Sequence, residues 1–204
     1  MALTLYGAPR SRAIRNIWML HELGVPFEHV PAVVADARNP KYMVLNPNGH
    51  IPFMVDDGVV MFESLAMNLH LARKHGGPLA PAGVMEEGLA TMWTLWAVTE
   101  LEPHAATSMY HTAVLPEAER KPELRASALA AMAAPLAVLE GALSEGGGYL
   151  VGGRFTVADL NLAGVVFYLR FNPQILADKP AIRAWYEAAT ARPAYLSAFA
   201  MRGE

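Results

Sequence analysis

The stretch Asn46-Pro47-Asn48-Gly49-His50-Ile51-Pro52-Phe53-Met54-Val55-Asp56-Asp57-Gly58-Val59-Val60-Met61-Phe62-Glu63-Ser64 decides the fold. Asp56-Asp57-Gly58 is a hairpin turn between two short apolar runs, and Val59-Val60-Met61-Phe62 reads as the return strand. Proline cannot donate to a strand ladder, so Pro52 is tolerable only at a strand's first residue or on an edge. A cis bond at Pro52 is expected to turn the N–H and C=O of Ile51 outward. Glu63-Ser64 then opens an apolar helix whose first turn has free N–H groups, a ready seat for an anion. The combination suits an extended peptide that carries a carboxylate.

Upstream, Leu3-Thr4-Leu5-Tyr6 reads as a strand running into the breaker Gly7-Ala8-Pro9. From Ser11 to Leu23 the apolar residues Ala13, Ile14, Ile17, Trp18, Met19 and Leu20 follow a helical rather than an alternating pattern, which stops at Gly24. Phe27 to Val33 supplies a second strand, so the order strand, helix, strand implies a parallel pair with a crossover helix. Asp36 to Leu45 reads as a looser stretch with an optional helix, so this half runs β-α-β-(α)-β-β-α. Downstream, the helix Ser64 to His75 ends at Gly76-Gly77, and residues 78–84 read as a linker.

Beyond the linker the strand signals nearly vanish. Segments of roughly 85–110, 116–144, 157–171 and 180–192 are rich in Ala, Leu, Met and Trp and are long enough for helices. Thr156-Val157-Ala158-Asp159 is a capping box with Asp in place of Glu, a folding signal. The expected division is therefore an α/β domain over 1–77, a linker over 78–84 and an all-α domain over 85–204.

Composition narrows the function. With 53% apolar and 17% charged residues the chain is globular rather than disordered, and a net charge of −3 without a basic run argues against nucleic acid. The absence of cysteine rules out disulfides, thiolate metal sites and a cysteine nucleophile, so any thiol chemistry uses a thiol brought by the ligand. His104 and His111 lie seven apart without a carboxylate at matching spacing, and no metal is expected. Neither a basic leader nor a run of eighteen apolar residues is evident, which implies a soluble, cytoplasmic protein with no membrane partner.

Asn-Pro-x-Gly-x-Ile-Pro, then Glu-Ser after a hairpin, then a threonine-aspartate capping box, in this order over nearly the whole chain, resembles the cytosolic glutathione transferase family, in its bacterial, serine-type form. The resemblance implies a thioredoxin-like first half that binds glutathione as co-substrate. It also implies an all-helical second half forming much of an apolar electrophile pocket, and a homodimer. Ile51 looks like the family's backbone clamp on the cysteinyl portion, preceding cis Pro52. Glu63 and Ser64 look like the pair holding the γ-glutamyl end, and His50 sits where a side chain often reaches the glycyl carboxylate.

Sulfur activation has three candidates. Ser11 stands at the expected start of the first helix, where a hydroxyl and the positive helix end converge on a thiolate. It falls one position beyond the serine of many serine-type members, which leaves Arg10 as a charge facing the sulfur; Tyr6 resembles the tyrosine-type residue but lies within a strand. Arg12 and Arg15, three apart on one face of the first helix, read as surface charges, with a place near the glycyl carboxylate or the dimer interface as the alternative. Trp96, Met109 and Tyr110 are the pocket candidates, flexible and flat surfaces suited to varied apolar electrophiles. The expected activity is attack of the bound thiol on a small apolar electrophile or a peroxide. The alternatives are a noncatalytic binding or assembly module of the same fold and a glutathione-dependent isomerase, although the serine-cysteine signature of the isomerases is absent.

Overall fold

In the computed structural model, which describes residues 3–203, β1 (Leu3–Tyr6), β2 (Phe27–Val30), β3 (Phe53–Asp56) and β4 (Val59–Phe62) form one sheet in the order β2-β1-β3-β4. β1 and β2 are parallel, while β1–β3 and β3–β4 are antiparallel. Helix α1 (Ala13–Leu23) makes the crossover, and its apolar periodicity is realised as a buried run from Ala13 to Leu20. Leu5 and Met54 are fully buried.

Several bounds differ from the expectation. β2 stops at Val30 rather than Val33: Pro31 has no N–H to give the ladder, and the Ala32 N–H turns back to the Val30 carbonyl at 2.8 Å. Helix α1 begins at Ala13 rather than Ser11, because Ser11 Oγ accepts from the Ala13 N–H at 3.1 Å and closes a turn ahead of the helix. The stretch 36–45 contains its optional helix. It holds a 3₁₀ turn, Val34–Arg38, and a short helix α2 (Pro40–Met43) capped by the Asn39 side chain, which accepts from the Lys41 N–H. Helix α3 (Ser64–His75) follows β4 as expected.

Two compact units result, one of residues up to Ala80 together with those from Thr190 onward, the other Pro81–Ala189. The chain's end, expected within 85–204, thus groups with the first unit. Where the last helix was expected to finish at Arg192, Pro193 starts another, α10 (Pro193–Ala200 once the intervening helices are numbered), proline being suited to a helix's first position. Its Tyr195 ring meets Trp18 edge-on at 5.0 Å, and Arg192 grips Glu22 with two bonds of 2.6 and 2.7 Å.

The second unit is helical: α4 (Gly83–Trp96), α5 (Glu102–Met109), α6 (Pro122–Ala131), α7 (Ala133–Glu145), α8 (Val157–Val166) and α9 (Pro180–Thr190). The expected helix 85–110 is interrupted by a π turn, Ala97–Leu101, and passes into another, Tyr110–Val114. Pro103 occupies the first turn of α5, where its missing N–H costs nothing. The expected segment 116–144 divides at Met132. The run Pro122–Glu145 is long enough to cross a membrane, and its most apolar eighteen residues reach a mean hydropathy of 1.6, although the charged Arg125 and Glu140 interrupt it. It nevertheless buries Leu136, Leu139 and Leu143, and its Glu140 accepts from the Ala181 and Ile182 N–H groups at the start of α9. The capping box is present: Asp159 accepts from Thr156 N–H and Oγ1–H, Leu150 N–H and Trp185 Nε1–H at 2.9–3.1 Å. Burial pushes its carboxyl up, and these bonds only partly oppose the shift.

Candidate functional site

The strand register brings the sequence motifs together. Tyr6, Phe53 and Phe62 form one rung across β1, β3 and β4, so the next residues outward are Gly7, Pro52 and Glu63. The breaker after β1, the proline before β3 and the start of α3 therefore share one end of the sheet. Gly7 adopts a φ of 147°, and a Cβ there would lie 2.7 Å from Ala13 Cβ and 3.3 Å from Pro52 Cβ. Only glycine lets these backbones approach so closely.

The Ile51–Pro52 bond is cis. Among the described residues, no hydrogen bond engages the backbone N–H or C=O of Ile51. The preceding loop is shaped by buried Asn46, whose Nδ2 donates to the His50 carbonyl at 2.9 Å and whose Oδ1 accepts from the Asn48 N–H at 3.2 Å. His50 itself is exposed. Arg38 escaped the sequence reading: a Cβ on Gly49 would meet Arg38 Cγ at 3.2 Å, so this cation lies against the loop beside His50. Nothing in the local pattern marks it, since its relevance comes from the 3₁₀ turn that folds it back.

Glu63 is exposed and holds φ 73° and ψ 101°, a left-handed conformation that a non-glycine residue adopts at a cost and that clusters at functional sites. Ser64 is buried at the first position of α3. Its carbonyl accepts from Asn16 Nδ2 at 2.8 Å and its Oγ from Arg15 Nη1 at 3.4 Å. Arg15, expected at the surface, is 2% exposed; Arg12 is exposed. The difference arises because α3 packs on that face of α1.

The three sulfur candidates lie along one short segment but in different settings. Ser11 Oγ is half-buried, donates to the Ala8 carbonyl at 2.7 Å and accepts from the Ala13 N–H. The guanidinium of Arg10 donates to the carbonyls of Arg202 and Gly203 at 3.0 and 3.2 Å, while Arg202 reaches back to the Pro9 carbonyl at 3.1 Å. Tyr6 stacks on Phe53 with centroids 4.6 Å apart and stands edge-on to Tyr42.

Within the helical unit, Trp96 stands edge-on to Trp93 at 5.3 Å, and Met109 and Tyr110 sit where α5 gives way to its π turn. Tyr110 is 42% exposed. Arg125 Nε donates to Thr112 Oγ1 at 3.0 Å and to Asn172 Oδ1, and Asn172 Nδ2 donates to Ser108 Oγ at 2.9 Å, which ties this turn down. His111 Nδ1 accepts from the Lys121 N–H, a structural contact. Among the described residues, no three His, Asp or Glu side chains gather as metal ligands. A groove of about 670 Å³ in the first unit, lined by Leu20, His21, Val25, Pro26 and Pro193 among others, includes none of the site residues.

Residues 5–79 match the model of the glutathione S-transferase N-terminal domain, and residues 102–193 that of its C-terminal domain. Glutathione S-transferase 3 of Zea mays is 33% identical, over 95% of this chain and 91% of its own length. Glutathione transferase F7 from Populus trichocarpa superposes with a TM-score of 0.89 at 26% identity, covering 98% of this chain and 99% of that one. A Phanerochaete chrysosporium glutathione transferase, solved with oxidized glutathione, does so with 0.86 at 26%, covering 98% and 95%. These matches carry the family and the thioredoxin-like fold of the first unit, though not the bacterial, serine-type subtype. The chain belongs to the glutathione S-transferase family and is a glutathione transferase.

Proposed function

We propose that glutathione lies extended past Ile51, with its γ-glutamyl carboxylate at the N-terminus of α3 and its thiol beside the Ser11 turn. The observation that carries this reading is the shared sheet end where Gly7, Pro52 and Glu63 meet. The Ser64 N–H and hydroxyl face the carboxylate, Glu63 the ammonium group, the Ile51 N–H and C=O the cysteinyl unit, and Arg38 with His50 the glycyl carboxylate.

A free thiol has a pKa of about 8.5, so the enzyme's task is to favour the attacking thiolate. Ser11 is suited to this without dismantling its turn. The Ala8 carbonyl also accepts from the Ser11 N–H at 2.9 Å, so the hydroxyl proton can swing to a sulfur while that carbonyl stays paired. The Oγ lone pair keeps the Ala13 N–H, and the start of α1 adds its positive end. The thiolate then attacks a soft electrophilic carbon and displaces its leaving group, or attacks a peroxide oxygen and breaks the O–O bond. Arg10, occupied by the chain's end, and Tyr6, held in an aromatic stack, support that segment rather than the sulfur.

Trp96, Met109 and Tyr110 contribute apolar surface for the electrophile. On α4, Met85, Leu89 and Met92 recur at helical spacing on exposed surface, Met85 at 77%, and this stripe fits a second copy of the chain in a homodimer. The setting is the cytoplasm. Calorimetry with millimolar glutathione, followed by aryl halide, hydroperoxide and isomerase assays, tests the reading. No heat of binding and no turnover would refute it.

A further inference from the structure

Asn16 is a fully buried amide in the interface between α1 and α3, with an arrangement that helix packing alone does not call for. Its Nδ2 donates both to the Ser64 carbonyl and to Asn68 Oδ1, each at 2.8 Å. Asn68 Nδ2 in turn donates to the Arg15 carbonyl at 3.3 Å. Yet Asn16 Oδ1 has no partner among the described residues. An unpaired buried acceptor is a standing cost that an apolar side chain of the same branched shape, such as leucine, would avoid. The amide is thus kept for what its NH₂ group holds, and one of those groups is the backbone of Ser64.

We propose that Asn16 is a positioning residue that fixes the distance between the thiol and the γ-glutamyl carboxylate of bound glutathione. This rests on the site reading given above, in which the thiol lies at the start of α1 and the γ-glutamyl carboxylate at the start of α3. The two helices begin on the same end of the sheet, but the strands carrying them into place, β1 and β4, are not neighbours. The Asn16 bridge ties α1, one turn after Ala13, directly to the first residue of α3. A tripeptide anchored at both starts feels any slip between them, as a loss of affinity and as a misplaced sulfur.

Three variants test it: Asn16→Leu, Asn16→Leu with Asn68→Leu, and Ser64→Ala. The double variant removes both amides, so no side-chain polar group is stranded at the pair, and its stability should fall only by the packing cost of the larger leucines. Both Asn16 variants are expected to bind glutathione at least tenfold more weakly by calorimetry. They should also shift the pKa of the bound thiol, read from thiolate absorbance, at least half a unit toward the free value. A double variant that folds and keeps glutathione affinity within twofold and the thiol pKa unchanged overturns the proposal. If the double variant does not fold, Asn16→Asp serves: it keeps the shape but sets a carboxylate against two acceptors, and unaltered affinity there also overturns it. Ser64→Ala separates the two levels, since unaltered affinity in that variant sinks the site reading itself. Weakened binding in Ser64→Ala with normal binding in the Asn16 variants sinks only this inference.

Discussion

Replacing Gly7 by alanine strikes the point where the chain's three site segments meet. The added Cβ would sit 2.7 Å from Ala13 Cβ and 3.3 Å from Pro52 Cβ, against ordinary contacts of 3.4 Å or more. Neither neighbour can swing aside, since one is a helix's first residue and the other a proline ring, so backbone must move. Overpacking of this kind costs about 1–3 kcal/mol. The φ of 147° adds strain for any L side chain, about 1–3 kcal/mol more. Gly24→Ala is the matched control: its φ of 62° carries a left-handed penalty of about 1–2 kcal/mol, but nothing lies within 4 Å of its Cβ. Urea unfolding of both variants should therefore show Gly7→Ala destabilised by about 2–6 kcal/mol, at least about 1 kcal/mol beyond Gly24→Ala. Because Ala13 and Pro52 are pushed apart, glutathione affinity should fall in the Gly7 variant and stay normal in the Gly24 variant. Equal stability losses in the two would refute the claim that close approach, rather than φ alone, demands glycine at position 7.

Ser11→Ala should lower turnover at least tenfold with little change in glutathione affinity, because the role proposed for the hydroxyl is on the sulfur rather than on the peptide; steady-state kinetics with varied glutathione reads the split. Ser64→Ala should weaken glutathione binding by an order of magnitude in calorimetry. Asp159→Ala strands three buried donors and one half-buried donor and should cost about 3 kcal/mol or more in urea unfolding, with glutathione binding normal in the folded fraction. For Asp56, burial opposes ionisation, but hydrogen bonds from Lys74 and His70 at 2.6 and 2.8 Å outweigh it and hold the carboxyl below the usual range. A depressed folded pKa means its contribution is complete above about pH 4 and disappears as pH falls through the folded value. Acid titration of Lys74→Met should accordingly show a shallower loss of stability below pH 4 than the parent, and identical acid limbs would count against the clamp.

The sequence reached the sheet and the segments that meet at its end because those signals are local. Asp57-Gly58 specifies a hairpin whatever surrounds it, Pro52 can only head a strand, and the spacing from Ile51 to Ser64 follows from four-residue strands on either side of the turn. Thr156 and Asp159 likewise answer each other across one helical turn. What the sequence could not supply depends on partners far away in the chain. Arg15 reads as an exposed charge until α3 covers it. Arg38 reads as loop until a 3₁₀ turn lays it beside Gly49, and Arg10 reads as a charge for the sulfur, with nothing local to announce the carbonyls of residues 202 and 203 that its guanidinium meets. Asn16 reads as an ordinary polar residue on a helix until the packing of α1 against α3 sets its amide on Ser64. Period and turn chemistry thus determined which elements form and in what order, since each acts within a few residues. Burial, charge pairing and the meeting of Gly7, Pro52 and Glu63 at one end of the sheet were decided only by tertiary packing, which alone sets the distance between residues remote in sequence.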